Sequence, residues 1–285
     1  PERDRHAGWE RVTIAQLLAH RSGMQANPDD SVWVAVVRGG ASLRVQRALV
    51  ARSLFAEPPA APIDSTTIYS NAAYIAVGAL VERKTGMSWE ALMQRELFGP
   101  LGMRTAGFGA PGRAGSTGQT RGHIEDSTGL RPVPWSAGAD NPPVTGPAGT
   151  VHASLPDWAR FIAAILRGAN GDTRYLSRAQ WRRVLEPVND RADYVLGWKR
   201  VRDATAVGFT LEHLGSNGFW LAQASLDPAR GVAVLLTANA AVDRLEQPFL
   251  KLRQVLADSV VVWCDRASRE GTRHCSSTPK QDAGR

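Results

Sequence analysis

No run of about eighteen apolar residues occurs in the chain, so nothing reads as a membrane-spanning helix, and no leader peptide is visible at its start. The first residue is proline rather than methionine, which reads as a processed or truncated chain. Cysteine is scarce: Cys264 and Cys275 lie close together near the end, where an exported protein could join them and a cytosolic one would keep two thiols. There is no His-Glu-x-x-His and no Cys-x-x-Cys, and the six histidines are scattered, which argues against a metal hydrolase. No Gly-x-Ser-x-Gly occurs, so a Ser-His-Asp nucleophile elbow is not expected. The formal charge of +7, from 34 basic against 27 acidic residues, is spread out with no basic run interleaved with aromatics. That pattern reads as a solvated surface and not as a nucleic-acid partner's footprint. There is no internal repeat.

What is present is enough apolar residue, 43 % of 285, to bury a core in one large or two small domains. Helix signals dominate the first two thirds. Thr13 and Gln16 have capping-box spacing, with Val12 and Leu17 as a staple, predicting a short helix from Ile14 to about Arg21 that stops at Gly23. His20, in its last turn, reads as charge complementarity to the helix C-terminus and packing. Residues 25–41 read as irregular or partly helical. Ser42 to Phe55 reads as a helix with Leu43, Leu49, Val50 and Leu54 inward and Arg44, Arg47 and Arg52 outward. The run Ala72 to Val81 predicts an apolar helix ending at Gly86, and Ser88 caps another from Trp89 to Leu97, stopped by Gly99-Pro100. Gly102 to Gly149 is rich in Gly, Pro, Ser and Thr; so long a connection reads as a binding loop rimming a cleft.

Ser154 with Asp157, and Ser177 with Gln180, open two more helices. Beyond Asp193 the period changes to that of strands, over 194–201, 208–214, 219–226 and 232–238, an antiparallel meander with a turn at Asp227-Pro228-Ala229-Arg230-Gly231. An amphipathic helix from about Leu245 to Val260 should pack on its face. The expected organisation is a mainly helical region over 1–192, a sheet with its helix over 193–264, and a disordered tail over 265–285.

One stretch organises the rest: Ile68-Tyr69-Ser70-Asn71, directly before the apolar helix. A tyrosine and an asparagine two apart in extended backbone present their side chains to one side. Alone, Tyr69 would read as a core aromatic and Asn71 as a helix N-cap. Its company changes that reading. Upstream stands Val12-Thr13-Ile14-Ala15-Gln16-Leu17-Leu18-Ala19-His20-Arg21-Ser22-Gly23-Met24, and downstream stand Pro147-Ala148-Gly149 and Leu211-Glu212-His213-Leu214-Gly215-Ser216-Asn217-Gly218-Phe219. These four blocks in this order resemble the serine hydrolases related to class C β-lactamases, D-alanyl-D-alanine peptidases and the esterases of that fold, over residues 9 to 257.

The resemblance implies an α/β (α+β), β-lactamase/transpeptidase-like fold and an acyl-enzyme mechanism on an ester, amide or β-lactam bond of a small-molecule or peptide substrate, without a cofactor or metal. It also implies a periplasmic or secreted location. Tyr69 would shuttle protons between nucleophile and leaving group, its pKa lowered by nearby cations, and Asn71 would orient a lysine and the substrate amide carbonyl. His213-Leu214-Gly215 stands where the family has Lys-Thr-Gly, on the strand that edges the site. Gly215 would admit substrate backbone, the Ser216 N–H would supply an oxyanion donor, and Asn217 would lie beside it. Trp135 and Gly149 would form cleft wall, although Pro147-Ala148-Gly149 reads equally well as a turn. Histidine in place of lysine removes a permanent cation, which disfavours carboxylate-bearing β-lactams and favours esterase or peptidase-like activity.

The family's nucleophile is the serine of a Ser-x-x-Lys at the start of a buried helix, upstream of the Thr13 block. The match in this chain, Ser277-Thr278-Pro279-Lys280, has proline inside the spacing and no apolar helix after it, so it reads as chance. The expectation is therefore a chain that carries the part of such an enzyme after the nucleophile and is inactive alone. The alternative is a nucleophile-less protein that binds peptidoglycan-like peptides. A bared sheet edge makes a dimer, or complementation by the missing N-terminal segment, a further expectation.

Overall fold

The structure, a computed structural model, describes residues 5–115, 118–202 and 209–269. Cys275, Ser277, Lys280 and most of the expected tail lie outside the described residues. In chain order the helices are α1 (Ile14–Leu18), α2 (Asp30–Arg38), α3 (Leu43–Ala56), α4 (Asn71–Thr85), α5 (Trp89–Met93), α6 (Gly99–Leu101), α7 (Gly146–Gly149), α8 (Leu155–Ala169), α9 (Arg178–Leu185) and α10 (Asp243–Arg269). The strands are β1 (Gly107–Phe108), β2 (His123–Asp126), β3 (Gly129–Pro132), β4 (Val151–His152), β5 (Tyr194–Val195), β6 (Trp198–Arg202), β7 (Phe209–Ser216), β8 (Leu221–Asp227) and β9 (Val232–Ala238). The chain forms two compact units. Unit 1 takes Pro1–Gln119, Pro134–Asp157 and Glu186–Gly197; unit 2 takes Thr120–Val133, Trp158–Leu185 and Trp198–Arg285.

Unit 1 is built on α4. Ala72, Ala73, Ile75 and Ala76 of that helix are buried with Leu17 of α1, Met24, and Val50 and Leu54 of α3. Small residues let the helix sit close to its neighbours, most tightly at Gly78, where a Cβ would run into the Pro147 ring of α7. Local signals fix the ends of these helices. Thr13 and Gln16 form the capping box, with Oγ1 accepting from the Gln16 N–H at 3.2 Å and Oε1 accepting from the Thr13 N–H at 2.9 Å. Ser88 caps α5 by accepting from the Ala91 N–H.

Two expectations for unit 1 are corrected. On α3 it is Arg47 that is fully buried and Leu49 that is 48 % exposed, the reverse of the apolar-period reading. The Arg47 guanidinium meets two carboxylates inside the unit: Nη2 lies 2.6 Å from Glu82 Oε1 and 2.9 Å from Glu90 Oε2, and Nη1 lies 3.0 Å from Glu90 Oε1. Burial by itself would lower the Arg47 pKa, but the hydrogen bonds and charges of Glu82 and Glu90 outweigh it and raise it. A fully paired buried cation thus sets the rotation of the helix. The second correction concerns Gly99-Pro100, which does not end the helix begun by α5. A π-type turn over Gln94–Phe98 buries Phe98 and leads into α6, with Pro100 tolerated in a first turn, and left-handed Gly102 closes the run.

Unit 2 carries the meander β6-β7-β8-β9, antiparallel throughout, with Leu211 opposite Leu226 and Ala224 opposite Leu235. Asp227 closes the last turn: its carbonyl accepts from the Gly231 N–H at 2.9 Å and its carboxylate from the Arg230 N–H at 3.0 Å. The expected strand from Tyr194 is interrupted at Gly197, whose φ of 94° belongs to a turn. The connection from Gly102 to Gly149 is more ordered than a loop, containing β1 (paired with β4), the β2–β3 hairpin and α7. α10 packs against β9 and runs to Arg269, beyond the expected end at Val260, with Cys264 buried at 2 % exposure. Among the described residues no helix is long and apolar enough to cross a membrane. The expected mixture of helices and an antiparallel sheet flanked by a C-terminal helix is thus observed.

Candidate active site

Tyr69, Asn71, Trp135 and Gly149 belong to unit 1, whereas His213, Gly215, Ser216 and Asn217 belong to unit 2. In unit 1 the segment leading into α4 is bound to the His20–Gly23 turn by successive backbone hydrogen bonds. Ile68 N–H donates to His20 O at 3.0 Å, Asp64 N–H to Arg21 O at 2.9 Å, and Ala60 N–H to Gly23 O at 2.8 Å. Two sequence blocks some fifty residues apart therefore form one element. Ser70, not Asn71, is the helix N-cap: its Oγ accepts from the Ala73 N–H at 2.9 Å and donates to Gln25 O at 2.5 Å. With the cap at the buried middle residue, Tyr69 and Asn71 on either side of extended Ser70 turn outward; Tyr69 is 51 % exposed. Asn71 is half-buried, and its Nδ2 donates to Asn27 Oδ1 at 3.0 Å.

Tyr69 belongs to a cluster of rings around His20. The His20 ring centroid lies 4.3 Å from that of Tyr69, 4.6 Å from Tyr194 and 5.3 Å from Tyr74. Burial raises the Tyr69 phenol above the ordinary tyrosine value, so this environment does the opposite of the expected lowering by cations. Tyr74 is raised further, by burial and then by repulsion from Tyr69, and Tyr194 likewise, by burial and then by Tyr69, Tyr74 and Asp193. Tyr74 also donates its hydroxyl to Leu18 O at 2.8 Å. Of the three phenols, Tyr69 is the most exposed.

Trp135 lies over Gly112, at the point where a Cβ would strike its ring, and the Gly149 carbonyl accepts from Asn141 Nδ2 at 3.0 Å at the end of α7. An open apolar hollow of about 450 Å³ runs along α4 in the same unit, lined by Leu18, Tyr74, Val77, Val81, Trp89 and Leu92. It borders Tyr74 rather than Tyr69, and its walls suit packing more than chemistry.

In unit 2, β7 carries the second set. His213 sits opposite Ala224 of β8 and edge-on to Trp198, with ring centroids 6.5 Å apart. The ladder between β6 and β7 ends at the pair Lys199 and Glu212, so residues 213–216 run past that register while still paired to β8 through Gly215–Ala222 and Ser216–Leu221. A Cβ placed on Gly215 meets nothing within 4 Å. Asn217 works in the turn: its Oδ1 accepts from the Phe219 and Trp220 N–H groups at 3.1 and 3.0 Å.

His20 is the residue whose part the sequence understated. It lies beyond the last residue of α1 at a φ of 57° and is 2 % exposed, and its Nδ1 accepts a hydrogen bond, so its role is not that of a cation at a helix end. Packing, the other half of that expectation, holds. The available signal was its place in the His-Arg-Ser-Gly block.

A family model described as Beta-lactamase matches residues 1–257. Unguisins hydrolase ungD of Aspergillus violaceofuscus (strain CBS 115571) is 33 % identical over 161 residues, which cover 54 % of this chain and 27 % of that protein. Penicillin-binding protein 4 of Amycolatopsis lactamdurans is 26 % identical over 247 residues, covering 81 % of this chain and 60 % of that one. The D-amino acid amidase of Ochrobactrum anthropi SV3, in a crystal structure with L-phenylalanine amide, shares the fold at a TM-score of 0.63 and 19 % identity, over 93 % of this chain and 74 % of its own. The chain spans less than two thirds of the length of either sequence relative.

Proposed function

Because this chain belongs to the Beta-lactamase family of serine hydrolases, we propose that it supplies the proton-handling and oxyanion-side groups for cleaving an ester or a peptide-like amide through an acyl-enzyme. The observation that carries the reading is Tyr69. It is a half-exposed phenol on backbone tied to a buried turn, beside two tyrosines that burial keeps neutral. In acyl transfer a nucleophile must lose a proton and a leaving group must gain one. A phenol held in one place can relay the proton between them. Asn71 orients the substrate carbonyl, and the Ser216 N–H stabilises the oxyanion. At His213 the family's lysine, a permanent cation, is replaced by histidine, which favours uncharged esters and amides over carboxylate-bearing β-lactams.

The nucleophile in this reading is a serine, with its lysine, from outside these 285 residues, because the Ser-x-x-Lys of the sequence is the proline-broken one at Ser277. The 285-residue chain alone is expected to be inactive. Gly215 offers a test of the substrate edge. Valine there has open space in the folded chain and suits a strand, so Gly215→Val should leave thermal stability unchanged. In a longer form that carries a Ser-x-x-Lys segment on the N-terminal side, the same change should lower kcat/KM for a nitrophenyl ester and for D-phenylalanine amide at least about tenfold. Unchanged turnover would remove β7 from the site.

A further inference from the structure

We propose that His20 is the positioning residue for Tyr69, acting as a clamp in its neutral tautomer. The inference rests on the reading of Tyr69 given above and goes beyond it in naming what holds the phenol. Three contacts from one residue converge on Tyr69. The His20 carbonyl accepts from the Ile68 N–H at 3.0 Å, on the N-terminal side of Tyr69. His20 Nδ1 accepts from the Ser70 N–H at 3.0 Å, on its C-terminal side. The imidazole lies against the Tyr69 ring at a centroid distance of 4.3 Å. Both peptide neighbours of Tyr69 and its ring are thus held by the same residue.

A backbone N–H can only donate, so Nδ1 must be unprotonated and the ring proton sits on Nε2. A proton on Nδ1 would set two donors against each other. The backbone tells the same story. His20 follows α1 at the position where a left-handed residue closes a helix, with a φ of 57°. Glycine serves that position without strain. A β-carbon at left-handed φ is strained backbone, and such strain persists where the surroundings over-determine it, often at working sites. Here the gain is a ring, 2 % exposed, that tethers Ser70, lies tilted against Tyr69 and Tyr74, and meets Tyr194 edge-on. Ser70 in turn caps α4, so the clamp fixes the angle at which Tyr69 leaves the helix.

The test uses substitutions with opposite backbone and side-chain effects. His20→Gly relieves the strain and removes the clamp; His20→Asn tolerates the left-handed backbone and keeps an oxygen that can accept from Ser70. A residue that merely closes the helix is replaced by glycine at no loss. For a clamp, His20→Gly should speed exchange of the Ser70 amide at least tenfold in the 285-residue chain and move the Tyr69 titration, followed by the ring 13Cζ signal, down towards the ordinary tyrosine value. His20→Asn should restore most of the amide protection. In the serine-bearing form, His20→Gly should lower kcat with little change in KM. Should a variant fail to fold, 15N imidazole spectra of the wild-type chain still decide, since a proton found on Nδ1 overturns the clamp. Unchanged Ser70 exchange in His20→Gly overturns it as well. Absence of turnover in every serine-bearing form would instead reject the proposed function, leaving the tautomer and exchange data to judge the clamp.

Discussion

Replacing Tyr69 with phenylalanine in a serine-bearing form should lower kcat about 10²- to 10⁴-fold, the range by which a positioned acid–base group accelerates a reaction. The change removes one oxygen from a side chain that is 51 % exposed and whose hydroxyl makes no hydrogen bond among the described residues. Stability should therefore shift by no more than about 0.5 kcal/mol, as for a surface substitution away from special features. The separation of these two effects is the point of the experiment. Tyr74→Phe provides the contrast, since its part-buried hydroxyl donates to Leu18 O, so its loss should fall on stability. Wild-type turnover in Tyr69→Phe would refute the assigned role.

Arg47→Met should cost about 3–5 kcal/mol, the range for breaking a buried ion pair by removing one partner. The guanidinium is fully buried and bonds to both Glu82 and Glu90, while Glu82 Oε1 also accepts from the Trp89 N–H at 2.8 Å. Without Arg47 the two carboxylates stand together, one of them buried, with no cation. The midpoint of thermal unfolding should fall by roughly 10 °C, taking about 2–4 °C per kcal/mol for a chain of this size. Combining Arg47→Met with Glu82→Leu and Glu90→Gln should recover much of the loss, because the penalty lies in the uncompensated charges. A loss below about 1 kcal/mol for Arg47→Met alone would show that the cluster does not hold α3, α4 and α5 together.

What the sequence made legible was what is decided within a few residues. Thr13 with Gln16, Ser88, and Ser177 with Gln180 each place donor and acceptor three apart, and each cap is observed. The strand turn at Asp227 to Gly231 is local in the same way. Arg47 was misplaced because its burial depends on Glu82 and Glu90, 35 and 43 residues further along, and an apolar-period reading counts arginine only as a surface residue. His20 was understated for the same reason: its partner Ser70 is 50 residues away. Tyr69 and Asn71 could be singled out because four blocks stood in a family's order. The placement of the cap on Ser70, which turns both side chains outward, could not be read until Gln25 and His20 were seen against that residue.

The measurement that tests the account most directly is intact-mass spectrometry after exposure to a penicillin and to a nitrophenyl ester, on the 285-residue chain and on a serine-bearing form in parallel. No adduct is expected on the 285-residue chain, and one acyl group per molecule is expected on the longer form, located by peptide mapping at the serine of its Ser-x-x-Lys. A stoichiometric acyl adduct on the 285-residue chain would contradict this, because the nucleophile would then lie within the 285 residues.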